Sequence, residues 1–391
     1  MLKINFDKKD ILGALEPAMG CVSTKNTKTV VGGIRLTVSE KGCEIAAYDF
    51  EKGFRSYFPA NIETEGSAVI PAQKLNSIIR LMPEGEITLE IDAKGNCSVN
   101  GASGDSHFEL QTIMGDEFPA LPDFSGDPGY TVKQSVMREG IGQTIFAAAL
   151  NDPRIALNGC FFNAVKPEDG LCGTFTVVSS DSNRLCLFES EASALFDENS
   201  PKERFALIVP TKSVAELQRS LAADGDATVK VIPGQKHVMF ELEGKGIFFS
   251  RLIDSEYLDY DRFIPKQFET VVNIPTDRFI AGLERASLVT EDREMGQVKS
   301  AVRLHFEERV AEISARNATV QVRDIIDVAT QGKDIDIGFN CRYLLDAARA
   351  SDVDRLKLSL ISPLMSMIIE AAEPQEGKRF LFLVLPVKMR E

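Results

Sequence analysis

A short apolar strand that runs directly into the start of a helix recurs six times along this chain, and this repeat constrains the fold more than any other feature. Each strand leads into residues that favour a helix start, such as Asp7, Pro71 or Asn340. Consecutive strand ends lie 64, 62, 77, 65 and 65 residues apart. Such even spacing predicts one structural unit that is repeated six times. The strands are predicted to end at Phe6, Ile70, Val132, Val209, Ile274 and Phe339.

Alternating apolar and polar residues after each helix predict the rest of the repeated unit. The first helix, for example, is followed by such runs at residues 33–38, 43–47 and 53–58. The unit is therefore one strand, one helix and three antiparallel strands. Paired units predict an α+β fold of three similar domains, in which two helices per domain cover one face of the sheets. A proline-containing segment precedes each of the two predicted domain boundaries, which places the domains at residues 1–127, 128–267 and 268–391.

Composition describes an ordinary globular chain and excludes several classes of protein. Of the 391 residues, 44% are hydrophobic and 26% are charged, and no apolar run approaches the length of a membrane span. The first nine residues alternate like a strand and lack the apolar core of a signal peptide. Seven cysteines at scattered spacing, with no CxxC pair, do not suggest a disulfide framework. We expect a cytoplasmic protein with no membrane partner.

The net charge of −14 argues against a nucleic-acid partner only if the charge is spread evenly, and it is not. The six predicted helices together carry +4, which leaves −18 on the rest of the chain. One interpretation is that the helix cations are ordinary solvated side chains. The other is that all six helices face one shared space that attracts a polyanion. The helices are predicted at residues 7–19, 72–83, 132–150, 211–223, 275–290 and 341–350. Their candidate cations are Lys74, Arg80, Lys133, Arg138, Lys212, Arg219, Arg278, Arg285, Arg342 and Arg349.

The end of the chain is unusually apolar. Phe380–Leu385 is a run of six apolar side chains, which predicts a strand covered on both faces. Pro386 cannot donate to a sheet ladder, so pairing is expected to end there. Termini usually fray, so an apolar ending should be tied into a core. Two interpretations stay open from these residues alone: a plain core strand, or a strand that also presents a binding surface.

Six short segments stand out by their order and spacing: Phe118–Pro122, Asp152–Gly159, Asp181–Leu185, Ala301–Leu304, Ile337–Asp346 and Leu383–Lys388. Together with the six-unit plan they resemble the beta sliding clamp family, the processivity subunit of bacterial DNA polymerase III, over the whole chain. The resemblance implies the DNA clamp fold, closed as a head-to-tail homodimeric ring with helices inside and sheets outside. It implies a ring that encircles double-stranded DNA without reading its sequence and tethers the replicative polymerase for processive DNA replication.

The resemblance also implies which residues meet partners. The dimer seam would join Phe108 and Leu110 of one protomer to Leu288 and Val289 of the other, and Lys25 would contact DNA. One apolar pocket per protomer would capture a short linear motif of the DNA polymerase III catalytic subunit, the clamp loader, and other polymerases and repair proteins. Its walls would be Arg154, Leu157, Ser180, Ser182, Asn183, Arg184, Leu185, Leu258, Arg262, Phe263, Asn340, Tyr343, Ser366, Leu383, Val384, Leu385, Pro386, Val387 and Lys388.

The chain departs from the family pattern at a few of these positions. Asn183 stands where many relatives have histidine, Leu258 where many have proline, and Lys388 where many have arginine. Residues 291–299 form a longer loop than is usual. The departures keep the type of site and leave its preferred peptide open.

Two alternatives compete with a clamp. An enzyme needs a catalytic constellation, but the three histidines show no metal spacing, and Gly244–Gly246 opens no helix. Gly244–Gly246 is interpreted as a turn and the carboxylates at residues 291–294 as a charged loop, so we predict a non-catalytic chain without metal or cofactor. The other alternative is a peptide-binding scaffold of the same fold that forms no ring. The groups weighed were His107, His237 and His305, Asp152 with Asp181, and Glu291 with Asp292 and Glu294.

Overall fold

A computed structural model describes residues 1–23, 29–124, 128–198, 200, 202–290 and 301–389. The chain forms two compact units. The first contains residues 1–138, 195–203 and 212–253, and the second contains residues 139–194, 204–211 and 254–391. The division runs through the predicted central domain, so the three domain boundaries placed from the sequence stay a prediction.

Each predicted helix position carries an α-helix in the described residues. They are α1 (Lys8–Met19), α2 (Ala72–Leu81), α3 (Gln134–Thr144), α4 (Thr211–Ser220), α5 (Thr276–Thr290) and α6 (Cys341–Ala350). Caps set two of the starts: the Asp7 side chain accepts from the Lys9 amide at 2.8 Å, and Asn340 accepts from the Arg342 amide at 3.1 Å.

The third helix is shorter than the predicted range of 132–150. The Thr144 hydroxyl donates to the Gly140 carbonyl at 2.7 Å, and such a local bond favours a bend. A 3₁₀ turn at Ile145–Ala147 follows and ends the helical run. The apolar period of the sequence continues through this turn, which is why sequence alone placed the end too late.

Strands fill most of the remaining described chain. In order they are β1 (Leu2–Asp7), β2 (Gly33–Ser39), β3 (Gly42–Tyr48), β4 (Lys52–Phe58), β5 (Asn61–Thr64), β6 (Gly66–Pro71), β7 (Glu86–Ile91), β8 (Asn96–Gly101), β9 (His107–Gln111), β10 (Ile113–Met114), β11 (Tyr130–Lys133), β12 (Gly159–Val165), β13 (Cys172–Ser180) and β14 (Arg184–Phe196). They continue as β15 (Arg204–Pro210), β16 (Thr228–Pro233), β17 (His237–Leu242), β18 (Gly246–Arg251), β19 (Thr270–Pro275), β20 (Val302–Phe306), β21 (Val310–Arg316), β22 (Gln321–Asp327), β23 (Ala329–Gly332), β24 (Ile335–Phe339), β25 (Arg355–Leu360), β26 (Met367–Ala371) and β27 (Lys378–Val384).

The first unit contains two antiparallel runs of strands. One is a five-stranded sheet in the order β5-β1-β7-β8-β9, so β9 is an edge. The other runs β10-β6-β2-β3-β4-β18-β17-β16-β11. Helix α1 packs on β3 and β4 and against α2. Helix packing on one face of antiparallel strands agrees with the predicted unit.

The second unit follows the same plan. A four-stranded sheet has the order β22-β21-β20-β24, with β22 at an edge. A further run is β23-β19-β25-β26-β27-β14, and β12 pairs with both β13 and β15. Helix α5 packs on β20, β21 and β22 and against α6. Its buried Phe279 and Leu283 join the core that also contains Phe380 and Phe382.

The apolar end of the chain is a core strand, as predicted. Strand β27 is paired on both edges, and the rings of Phe380 and Phe382 are buried and stacked with centroids 4.8 Å apart. Pairing ends at Val384, just before Pro386.

No helix in the described ranges is long and apolar enough to cross a membrane. None of the seven cysteines, all of them within the described residues, forms a disulfide, and six of them are buried.

Candidate functional site

A surface cavity of about 720 Å³ opens in the second unit, and every residue that lines it belongs to that unit. Its walls come from the segment before β12, the turn between β13 and β14, residues 255–258, and the end of β27. The lining residues are Pro153, Arg154, Ile155, Ala156, Leu157, Ser180, Ser182, Arg184, Leu185, Ser255, Glu256, Tyr257, Leu258, Phe263, Ser366, Leu383 and Leu385.

The inner part of this cavity is apolar and well fixed. Leu157, Leu185 and Leu383 line it and are almost fully buried. The ring of Tyr257 stacks on Phe161 with centroids 4.9 Å apart and an interplanar angle of 5°, and its hydroxyl donates to a backbone carbonyl of β13 at 3.4 Å. Burial raises the pKa of this hydroxyl. A preformed apolar surface of this kind suits an aliphatic or aromatic anchor.

The mouth of the cavity carries apolar side chains that water still reaches. Ile155 is 55% exposed, Phe263 60% and Leu385 41%. Large apolar groups left exposed around a concave site mark an interaction surface, because a partner that covers them removes their area from water.

Arg184 ties the pocket wall to the rest of the second unit. Its guanidinium donates to Asp181 at 3.0 Å, to Asp346 of α6 at 2.9 Å, and to the backbone carbonyl of Phe146 at 2.5 Å. It also lies over the ring of Tyr343, 4.3 Å from the centroid. Only 11% of the side chain is exposed. Arg184 therefore positions the wall and offers no free charge to a ligand.

The other arginine of the lining is neutralised as well. Arg154 donates through Nε and Nη2 to the two carboxylate oxygens of Asp152, both at 2.9 Å. Hydrogen bonds from Arg154 hold the pKa of Asp152 below its usual range. The carboxylates considered as an acid–base pair, Asp152 and Asp181, are thus each bound by a guanidinium. Neither is placed to transfer a proton to a ligand.

Three family models match the chain in order. They describe the N-terminal, central and C-terminal domains of the DNA polymerase III beta subunit, and they match residues 2–122, 131–259 and 261–386. The chain belongs to the DNA polymerase III beta subunit family.

Individual members of the family resemble it over the full length. The beta sliding clamps of Proteus mirabilis and of Escherichia coli K12 are each 27% identical over 391 residues, which covers 99% of this chain and 100% of theirs. The crystal structure of the DNA polymerase sliding clamp from Bacillus subtilis matches with a TM-score of 0.89 at 24% identity, over 100% of both chains. The predicted three-domain α+β clamp fold is confirmed.

Most of the pocket that the family resemblance implied is assembled in the structure. Eleven of the nineteen named residues line the cavity, and they come from five separate stretches of the chain. These are Arg154, Leu157, Ser180, Ser182, Arg184, Leu185, Leu258, Phe263, Ser366, Leu383 and Leu385. Whether the cavity binds a peptide stays a proposal.

Four of the other residues do not line the cavity because their side chains are used elsewhere or point to solvent. Asn340 caps α6, and Tyr343 lies beneath the guanidinium of Arg184. Arg262 is exposed and pairs with Asp259 at 2.7 Å. The Asn183 side chain is exposed, although the backbone carbonyl of this residue accepts from the Leu385 amide at 2.8 Å.

The last four of the nineteen implied pocket residues lie at the end of the chain and do not line the cavity. Val384 is buried in the core, because side chains alternate along β27. Beyond Leu385 the chain turns away from the cavity: the Val387 amide donates to the Gly338 carbonyl of β24 at 2.9 Å. Pro386, Val387 and Lys388 therefore do not line the cavity, although the family resemblance implied that all three form part of its wall.

Six lining residues were missed: Pro153, Ile155, Ala156, Ser255, Glu256 and Tyr257. Each lies within three positions of a predicted residue, in stretches without strand or α-helix. Such stretches have no side-chain period, so periodicity does not show which neighbours face the cavity. The apolar Ile155 and the aromatic Tyr257 were the available signals.

The predicted DNA-facing cations differ in whether their charges are already bound by other groups of the described chain. Lys74, Lys212 and Arg278 are exposed and make no ion pair within the described residues. Arg138 instead donates to the carbonyls of Gln218 and Leu221 at the end of α4, so its charge is committed to capping. Six others are exposed but paired with carboxylates: Arg80 with Glu16, Lys133 with Asp226, Arg219 with Glu216, Arg285 with Asp324, Arg342 with Asp346 and Arg349 with Glu284. Lys25 and the 291–299 loop lie outside the described residues.

The predicted seam residues lie on edge strand β9 of the first unit and on helix α5 of the second. Phe108 and Leu110 belong to edge strand β9 and line a groove of about 980 Å³ beside α2 in the first unit. In the second unit, Leu288 is 77% exposed near the end of α5. Val289 is corrected: it is buried in the core of α5 and the adjoining sheet, so its side chain is not presented to a partner. Ile325 on edge strand β22, 58% exposed, is a candidate that the sequence did not reveal.

Among the described residues, no three histidine, cysteine, aspartate or glutamate side chains gather as a metal site. Two of the three histidines have local partners: His107 bonds Asn100 and Glu109, and His305 bonds Glu307. Glu291, Asp292 and Glu294, weighed as a carboxylate set, lie outside the described residues.

Proposed function

We propose that this chain is a DNA sliding clamp, a non-catalytic cytoplasmic subunit that encircles double-stranded DNA and tethers the replicative polymerase for processive DNA replication. The observation that carries the proposal is the ordered match of all three domains of the beta subunit family, from residue 2 to residue 386. Its full-length relatives are named beta sliding clamps. A tether of this kind works by topology and needs no reacting group.

The helices support a duplex ligand that is held without sequence reading. The six helices together carry +4 in a chain of net charge −14. Lys74, Lys212 and Arg278 are exposed and make no ion pair with the part of the chain that the structure describes, so they can bind phosphates; phosphate contacts carry no sequence information. A clamp that slides benefits from such weak, uniform contacts.

The test of encirclement is topological. Protein loaded onto nicked circular DNA should stay on the circle and should run off once a restriction enzyme cuts the same DNA. Uncut circles carried through the same steps are the control. Equal retention on cut and uncut DNA would exclude topological holding.

We further propose that the ring is a head-to-tail homodimer joined at sheet edges. Strand β9 ends one sheet in the first unit and β22 ends another in the second, so each leaves backbone groups unpaired within the described chain. Apolar Phe108 and Leu288 or Ile325 lie at or beside these edges. Edge-to-edge pairing between two protomers would satisfy the backbone groups and cover the apolar side chains together.

Size-exclusion chromatography with light scattering tests the dimer. Leu288→Asp should shift the protein toward the monomer, while Leu364→Asp, a substitution at a similarly exposed leucine, should leave the mass unchanged. A wild-type protein that is a stable monomer would contradict the ring and would favour the scaffold alternative of the same fold.

The pocket of the second unit is proposed to bind short linear motifs of the DNA polymerase III catalytic subunit, the clamp loader, and other polymerases and repair proteins. The support is its apolar inner wall with exposed Ile155, Phe263 and Leu385 at the mouth. Leu385→Ser should weaken binding of a polymerase-tail peptide, whereas Val387→Ser, at a residue of equal exposure outside the lining, should not. Equal effects of the two substitutions would place the binding site elsewhere.

A further inference from the structure

Charge at the pocket mouth is unbalanced once the ion pairs of its walls are considered. Three lining residues are charged: Arg154, Arg184 and Glu256. Both arginines are bound by carboxylates, Arg154 by one and Arg184 by two. The exposed Glu256 carboxylate makes no ion pair or hydrogen bond with any residue that the structure describes. The uncompensated charge that a ligand meets is therefore negative.

The stretch of chain around Glu256 strengthens this charge. Residues 254–262 contain four exposed carboxylates and a single arginine. That arginine, Arg262, is already paired with Asp259 at 2.7 Å. The acidic stretch, with Glu256 in the lining itself, therefore forms one side of the mouth. Its carboxylates are Asp254, Glu256, Asp259 and Asp261.

Surface carboxylates are often simply solvated and bind nothing. Glu256 differs from such residues because it lines the cavity. Its chain neighbours Tyr257 and Leu258 line the same apolar cavity. A peptide that covers the cavity removes water from around Glu256, and loss of water strengthens every charge interaction made there. A cation on the peptide would compensate the carboxylate, and an anion would be repelled by it.

We propose that Glu256 selects the ligands of this pocket by charge, and that the favoured ligands are peptides whose apolar anchors are flanked by lysine or arginine. The inference deepens the proposed peptide-binding function and rests on it. Arg154 and Arg184 do not cancel the negative charge of Glu256, because both already form ion pairs, with Asp152 and with Asp181 and Asp346 respectively.

Matched synthetic peptides test the selection. Three octapeptides share the central sequence Leu-Ala-Leu-Phe and carry lysine, glutamine or glutamate at both ends. Fluorescence anisotropy at about 50 mM salt should show the lysine peptide binding about two- to fivefold more tightly than the glutamine peptide, which is the size expected for an exposed ion pair. The glutamate peptide should bind more weakly than both. At about 500 mM salt the differences should shrink, because salt screens exposed charges.

Two variants and a matched control assign the effect to one side chain. Glu256→Gln should remove the order of the three peptides, and Glu256→Lys should reverse it. Asp261→Asn removes an exposed carboxylate of the same acidic stretch that does not line the cavity, and it should keep the wild-type order. Glu256 and Asp261 are both exposed, so we expect all three variants to fold, and circular dichroism checks this.

The outcomes distinguish the inference from the function on which it rests. Equal binding of the three peptides to the wild-type protein would overturn charge selection and leave peptide binding intact. An order that survives Glu256→Lys would also overturn it. Failure of all three peptides to bind would remove the proposed pocket function, and the inference with it.

Discussion

Replacing Arg184 by methionine should destabilise the second unit much more than an arginine substitution on the surface does. The side chain is 11% exposed, and its guanidinium donates to two carboxylates and one carbonyl, which join the turn at Asp181, helix α6 and the backbone at Phe146. Methionine keeps much of the volume of the side chain but makes none of these bonds. Asp181 and Asp346 then stay partly buried with less compensation.

The magnitude follows from these contacts. Removing one partner of a buried ion pair typically costs about 3–5 kcal/mol, because the other charge is left uncompensated. Here Asp181 still accepts from backbone amides, and Asp346 still pairs with Arg342 at 2.9 Å, so the lower end applies. We expect about 3 kcal/mol, which corresponds to roughly a hundredfold larger opening constant.

Hydrogen exchange measured by mass spectrometry over α6 is the direct assay, because it reports local opening without assuming that the whole chain unfolds in one step. Arg342→Met is the matched control: it removes an arginine that pairs with the same Asp346 but is 59% exposed, and it should cost less than about 1 kcal/mol. Similar exchange in the two variants would show that burial of Arg184 does not set its contribution.

Three further changes have defined outcomes. Lys74→Ala should reduce the slope of log affinity against log salt for duplex DNA by up to about 0.9, whereas Arg285→Ala, at a guanidinium already bound to a carboxylate, should change the slope far less; equal slopes would contradict a DNA-facing Lys74. Hydrogen bonds from Arg303 on the neighbouring strand hold the pKa of Asp336 below its usual range. The stability that this pair contributes is therefore fully present above the unfolded pKa of about 3.9 and is lost as pH falls through the lower folded value. Asp336→Asn should make the unfolding midpoint depend less on pH in the acid range, and an unchanged pH dependence would exclude a contribution from the pair. Gly338→Ala should loosen the end of the chain, because the added Cβ would lie 2.6 Å from Met389 Cγ; unaltered protease sensitivity of that end would show that the contact does not hold it.

How much could be predicted from the sequence differs between the fold and the site. The repeated strand-to-helix starts are local signals, so all six helices were placed. The end of α3 was not, because the Thr144 bond that bends the backbone leaves the apolar period unchanged. Arg138 shows the limit more clearly: it was placed among DNA-facing cations, yet it caps carbonyls some 80 residues away at the end of α4. No local pattern encodes such a contact.

The pocket wall shows how one strand can serve both a core and a surface. In the ladder between β14 and β27, Leu185 lies directly opposite Leu383, and both line the cavity. Because side chains alternate, Phe380, Phe382 and Val384 enter the core from the other face of the same strand. A slip of one residue in this register would exchange the two sets, placing Val384 in the cavity and Leu383 in the core. The core interpretation therefore holds for Phe380, Phe382 and Val384, whereas Leu383 and Leu385 line the cavity that is proposed to bind peptides. The phenylalanines that fix the register in the core also fix which leucines a ligand can meet.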